Sequence, residues 1–147
     1  MAVQILLQDS NEKRVVHEAA HDVESFIWVL SYCVMRNLCH QASQRSAPKE
    51  VRNQSHALRV LLRRAFGQTV RKFIAYERHS RCCALTFHED PDVIGITKEF
   101  MSDTLIALFR ELRGLIHRLD DPFKPTPLTH DSLLALVNQS LTIYGRE

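Results

Sequence analysis

The stretch that decides the fold is RVVHEAAHDVESFIWVLSYCVM, residues 14–35. Its apolar residues run most of the way round a helix, which predicts one from about Ala20 to Leu38 that is buried on several sides. Phe26, Val29, Leu30, Cys33, Val34 and Asn37 follow the helical spacing, and Ile27, Trp28 and Tyr32 add apolar surface elsewhere. Asp22 precedes the apolar run, where it can cap the helix and face the positive end of its dipole. The same stretch holds His17-Glu18-Ala19-Ala20-His21, an HExxH match. On a helix that spacing sets two imidazoles one turn apart beside a carboxylate, the arrangement with which zinc hydrolases bind metal and deprotonate its water.

A working zinc site needs a third ligand and an open fourth position. Here Glu24 stands where the extended motif has glycine, and Ile27 where it has its third histidine. The next carboxylates downstream are Glu50, in a polar stretch, and Glu77, among basic residues. His17, Glu18 and His21 are therefore not assigned to a metal, and a zinc hydrolase is the weakest of three functional readings.

Outward from this stretch the pattern stays helical. HQASQRSAPKEVRNQS, residues 40–55, is polar and reads as a loop. A second helix is expected over about Ser55 to Phe66, with Leu58, Leu61, Leu62, Ala65 and Phe66 on one stripe and Gly67 as its C-cap. A third is expected over about Thr69 to His79, followed by a connection, FHEDPDVIGIT, residues 87–97. A long fourth helix, about Thr97 to Leu119, carries Phe100, Met101, Leu105, Leu108, Phe109, Leu112, Leu115, Ile116 and Leu119. After the proline-broken DDPFKPTP, a last helix starts at the N-cap Thr129 and carries Leu133, Leu136, Val137 and Leu141. With no alternating pattern, repeat or low-complexity tract, the 147-residue chain reads as one all-α domain of about five helices.

Only four glycines and five prolines interrupt the chain. No apolar run approaches the ~20 residues of a membrane span, and no signal peptide is read at the N-terminus. Cys33, Cys39, Cys82 and Cys83 form no CxxC pair, which suits reduced thiols in an intracellular protein, cytoplasmic or nuclear. Cys82-Cys83 with His79 and His88 read as buried thiols and not as a metal cluster, because adjacent cysteines rarely serve one tetrahedral zinc. The net charge of +2 is uneven: residues 45–81 hold ten Lys or Arg against Glu50 and Glu77. Arg59, Arg63, Arg64, Arg71 and Lys72 are candidates for a basic surface. It would face acidic protein or, less favoured because aromatics are few, nucleic acid.

HEAAHDVESFIWVLSYCV, residues 17–34, resembles a segment of the fungal-type protein kinases, H-x-x-x-H-D-L-E-S-F-F-Y-V-L with an apolar continuation. In the wider kinase superfamily the pattern is D-x-W-S-x-G-x-x-L, at the start of the buried helix F of the large lobe. Asp22 and Ser25 match its aspartate and serine, whereas Glu24 and Ile27 depart from its tryptophan and glycine. MAVQIL resembles F-M-A-x-E-x-L, which ends the activation segment, with Gln4 at the glutamate. LRRAFGQTVRKFIAYERHS resembles F-G-x-T-x-x-x-x-I-x-x-x-R at Phe66, Gly67, Thr69, Ile74 and Arg78, and LTHDSLLALVNQSL resembles the family's closing helix.

The resemblance spans nearly the whole chain and implies that residues 1–147 are a partial kinase-like domain: the end of the activation segment, helix F and the helices after it. The family implies ATP-dependent Ser/Thr phosphorylation with magnesium. Phosphotransfer needs a Gly-rich loop, a strand lysine, a catalytic-loop aspartate and an Asp-Phe-Gly metal site. Glycines stand only at 67, 95, 114 and 145, and no DFG occurs. HRLDD, residues 117–121, has an inserted leucine and follows helix F instead of preceding it, so it is not taken as H-R-D. The expectation is a chain with no catalytic or cofactor-binding residues of its own, partnered by the upstream half of a kinase domain. The rival reading is a helical binding module that uses the basic region.

Overall fold

The structure, a computed structural model, describes residues 19–67, 84–119, 124 and 126–144. Among them are five α-helices, a short helical stretch over residues 84–86, one 3₁₀ turn and no strand, so the all-α expectation is met. The helices are α1 (Ala19–Ala42), α2 (Lys49–Phe66), α3 (Ile94–Phe100), α4 (Asp103–Leu119) and α5 (His130–Tyr144), and the 3₁₀ turn is Phe87–Glu89. No described helix is long and apolar enough to cross a membrane. α1 packs against α2, α3 and α5, α2 also meets α3, and α4 lies along α5.

α1 runs one turn past its expected end, and the face it buries differs from the expected one. Val23, Ile27, Trp28, Met35, Leu38, Cys39 and Ala42 are in the core, whereas Phe26, Val29, Cys33 and Asn37 are exposed. Two apolar stripes compete on this helix. The Val23–Ile27–Met35–Leu38–Ala42 stripe stays apolar to the helix end, while the Phe26–Val29–Cys33 stripe runs into Arg36, Asn37 and His40. The stripe that stays apolar longer is the one buried. Its one hydroxyl, Ser31, is satisfied by donating to the Ile27 carbonyl at 2.9 Å. Asp22 does not cap α1 from outside: it lies within the first helical turn, exposed, where its charge still favours the dipole.

The polar stretch 40–55, expected to be a loop, is helical at both ends, and only residues 43–48 connect α1 to α2. The Ser43 hydroxyl donates to the Cys39 carbonyl at 2.6 Å and closes α1. Pro48, with φ −53° and ψ 147°, stands at the N-cap of α2. The residues that follow are polar because they form a solvent-facing helix surface. α2 buries Val51, Leu58 and Ala65, spaced seven apart. Gly67 ends α2 with a right-handed φ of −84°, so it is not the left-handed cap that glycine often provides. Its N–H donates to the Arg63 carbonyl at 2.7 Å, and a Cβ would lie 2.6 Å from that oxygen.

The helix expected at 69–79 and the pair Cys82-Cys83 lie outside the described residues. The long helix expected from Thr97 is two helices, with Met101 extended between them. Ser102 ends the continuity: its Oγ accepts the Leu105 N–H at 3.3 Å and caps α4. The stretch 87–97, expected as a connection, holds the 3₁₀ turn and the start of α3. Gln54 of α2 reaches across to accept from the Ile96 N–H at 3.2 Å, a donor it shares with the Val93 carbonyl at 3.0 Å. α5 begins as expected after Thr129: Thr129 and Ser132 exchange backbone-to-hydroxyl hydrogen bonds of 3.1 Å each, a capping box. Phe87 and Phe109 meet edge to face at 5.4 Å in the core.

Candidate functional site

Three regions carry the residues singled out in the sequence. The first is the start of α1. His21 is buried there, while His17 and Glu18 lie outside the described residues. Glu24, at the place of the metalloprotease glycine, is also buried and accepts a hydrogen bond of 3.1 Å from Trp28 Nε1, one turn on. A buried carboxylate has to be hydrogen-bonded, and the helical spacing delivers the indole donor. Among the described residues no group of three His, Cys, Asp or Glu side chains comes together. Of the residues matched to the start of helix F, Asp22 is exposed and Ser25 half-buried.

The second region is the outward face of α1. Asp22, Phe26, Val29, Cys33, Arg36 and His40 follow one another at helical spacing and are all exposed, Phe26 at 51% and Val29 at 57%. Tyr32 borders this row. Its ring meets Phe66 of α2 edge to face at 5.5 Å, and the Arg36 guanidinium stands 6.0 Å from it. Two large apolar side chains on a helix packed against three others mark a patch that water alone covers poorly.

The third region is the outward face of α2. Lys49, Arg52, His56, Arg59, Arg63 and Arg64 are exposed, so three of the predicted basic residues do share a surface. Arg71 and Lys72 lie outside the described residues. Arg59 Nη2 donates to Ser43 Oγ at 2.5 Å, which ties the middle of the basic row to the α1–α2 connection. Burial pushes the Cys39 thiol above its ordinary range, and the Arg59 charge opposes that rise. The sequence reading passed over Val60, exposed at 47% among these cations. Its signal was available: it is an apolar residue off the Leu58 stripe.

His88, weighed in the sequence beside Cys82-Cys83 as a metal cluster and set aside, lies in the core. Its ring is buried between Phe87 and Phe109, at centroid distances of 6.0 and 6.2 Å. Neither ring nitrogen has a hydrogen-bond partner among the described residues. Burial lowers its pKa, Glu89 opposes this, and Arg110 and Arg113 add to it. Glu89 is itself paired with Arg113 at 3.1 Å. Between α4 and α5 lies an open groove of about 300 Å³ with Leu115, Leu128 and Leu136 in its floor and Glu111 and Arg118 on its edge. Compared with protein-family models, curated proteins and solved structures, the chain has no match.

Proposed function

We propose that the chain is the helical lower part of a fungal-type protein kinase-like large lobe and performs no phosphotransfer alone. In this reading α1 is the counterpart of helix F, with Asp22 and Ser25 at its start. The observation that carries the reading is the position of α1. It packs against α2, α3 and α5 and still turns Phe26 and Val29 outward. A central helix that leaves one side for a further part of the same domain would have this layout, and in a kinase the catalytic loop and its surroundings take that side, which supports the reading. ATP and magnesium belong to the complete family member. This chain offers them neither a Gly-rich loop nor a DFG.

The test uses the purified 147-residue chain. It should bind a hydrophobic dye, and Phe26→Ser combined with Val29→Ser should remove most of the signal. ATP with magnesium should leave its melting temperature unchanged, since a native-state ligand stabilises by mass action. A rise in melting temperature with ATP would reveal a nucleotide site and end the reading. Dye binding that ignores the double substitution would remove the observation on which it stands. Reading the genomic sequence upstream of the Met1 codon for an in-frame Gly-rich loop, H-R-D and D-F-G tests the same proposal independently.

A further inference from the structure

Independently of the kinase-like reading, we propose that the outward face of α2 is a docking surface for an acidic protein segment bearing one apolar anchor residue. Arg52, His56, Arg59 and Arg63 fall at i, i+4, i+7 and i+11, a continuous row about 16 Å long on one side of the helix. Lys49 begins the face and Arg64 flanks it. The exposed residues of this face include no carboxylate, because Glu50 points well to the side. An ordinary solvated helix face mixes signs, so that i,i+4 neighbours attract. Here Arg59 and Arg63 repel each other at that spacing. A partner that supplies carboxylates removes the repulsion.

Val60 decides the class of partner. It lies one turn from His56 and from Arg64, inside the basic face, and is 47% exposed. A phosphate backbone gains nothing from an isopropyl group, and His56 is the one aromatic ring among the exposed residues of this face, too few for a run of stacked bases. A protein segment gains from both features: carboxylates meet the arginines, and an apolar side chain covers Val60, as where one buried anchor is ringed by charges. The arginines steer and orient the partner, and the valine supplies the desolvated centre.

Fluorescence anisotropy on the full chain tests this with a labelled helical peptide that carries glutamates and a single leucine on one face. The peptide should bind at low salt and weaken as salt rises. Arg59→Gln with Arg63→Gln should weaken it by about tenfold or more, and Val60→Ser by several-fold. All three residues are exposed, so the variants should stay folded, and Arg63→Gln, which breaks no hydrogen bond among the described residues, should keep the parent melting temperature while still weakening peptide binding. A control needing no protein variant replaces the peptide's glutamates with glutamine, which should abolish binding. A duplex DNA probe separates the alternatives. Tight duplex binding that Val60→Ser leaves unchanged, without peptide binding, overturns the proposal in favour of a nucleic-acid face. Failure of the peptide to bind at low salt, or binding indifferent to the arginine and valine substitutions, overturns it as well.

Discussion

His88 is packed against two aromatic rings with neither nitrogen hydrogen-bonded among the described residues, and although Glu89 Oε1 stands 3.7 Å from Nε2, burial favours the neutral imidazole. The direction of its titration follows. Its pKa in the folded chain lies below the unfolded value of about 6.5, chiefly through burial. Between the two values the unfolded chain holds more protons than the folded one. The stability that neutral His88 allows is therefore fully present above about pH 6.5 and is lost as the pH falls below it. Denaturant midpoints at about pH 7.5 and about pH 5.5 should show the lower value at the acid end, and His88→Phe should narrow the gap. A gap as wide in the variant as in the parent would assign the acid sensitivity to another group. The burial of this residue is not legible locally: a histidine beside Glu89 and Asp90 reads as surface until Phe109 is known to cover it.

At the scale of the helices, the packing of α2 against α3 includes one side-chain amide contact. Gln54 Oε1 accepts the Ile96 N–H, and Gly95 leaves room for it, since a Cβ there would lie 2.7 Å from that oxygen. Gln54→Ala should cost about 1 kcal/mol through the lost hydrogen bond. Gly95→Ala should cost a similar amount by pushing the amide away, and the double variant should cost less than the sum. Strict additivity in denaturant melts would show that the two positions do not act on one contact. Much of the helical layout was legible beforehand. The Leu58–Ala65 stripe, the Phe109–Leu112–Ile116 stripe and the Thr129 cap all stand where spacing and capping chemistry put them. The α3–α4 break was legible only in principle, because Ser102-Asp103 is a capping signal embedded in an otherwise continuous apolar stripe. The choice between the two stripes of α1 was not legible locally, since it depends on how far the partner helices extend along it. Of the candidate surface, Arg59, Arg63, Arg64 and Val60 were all legible as residues off the Leu58 stripe, and the start of α2 at Lys49 adds Lys49, Arg52 and His56 to their face.

For the whole molecule, exposed faces of different character among the described residues bear on its behaviour, among them an apolar one on α1, another at Leu134 and Leu141 of α5, and a cationic one on α2. A chain with both kinds should associate through the apolar faces and be steered through the cationic one, so added salt weakens the steering and leaves the apolar contact in place. The short connection over residues 43–48 has a different consequence, one of time. It joins the two longest described helices as neighbours in sequence, so their packing requires closing only a small loop, an event on the order of 10–100 ns. The α2–α3 joint instead bridges a separation of 42 residues and carries a larger closure entropy. The α1–α2 hairpin should therefore assemble first and act as the folding nucleus, with α3 docking after the rate-limiting barrier. In stopped-flow refolding, Leu58→Ala, which hollows the buried face of α2, should slow folding, whereas Gln54→Ala should chiefly speed unfolding. Equal slowing of folding by both substitutions would mean that the distant joint is already made at the barrier, and that the hairpin does not lead.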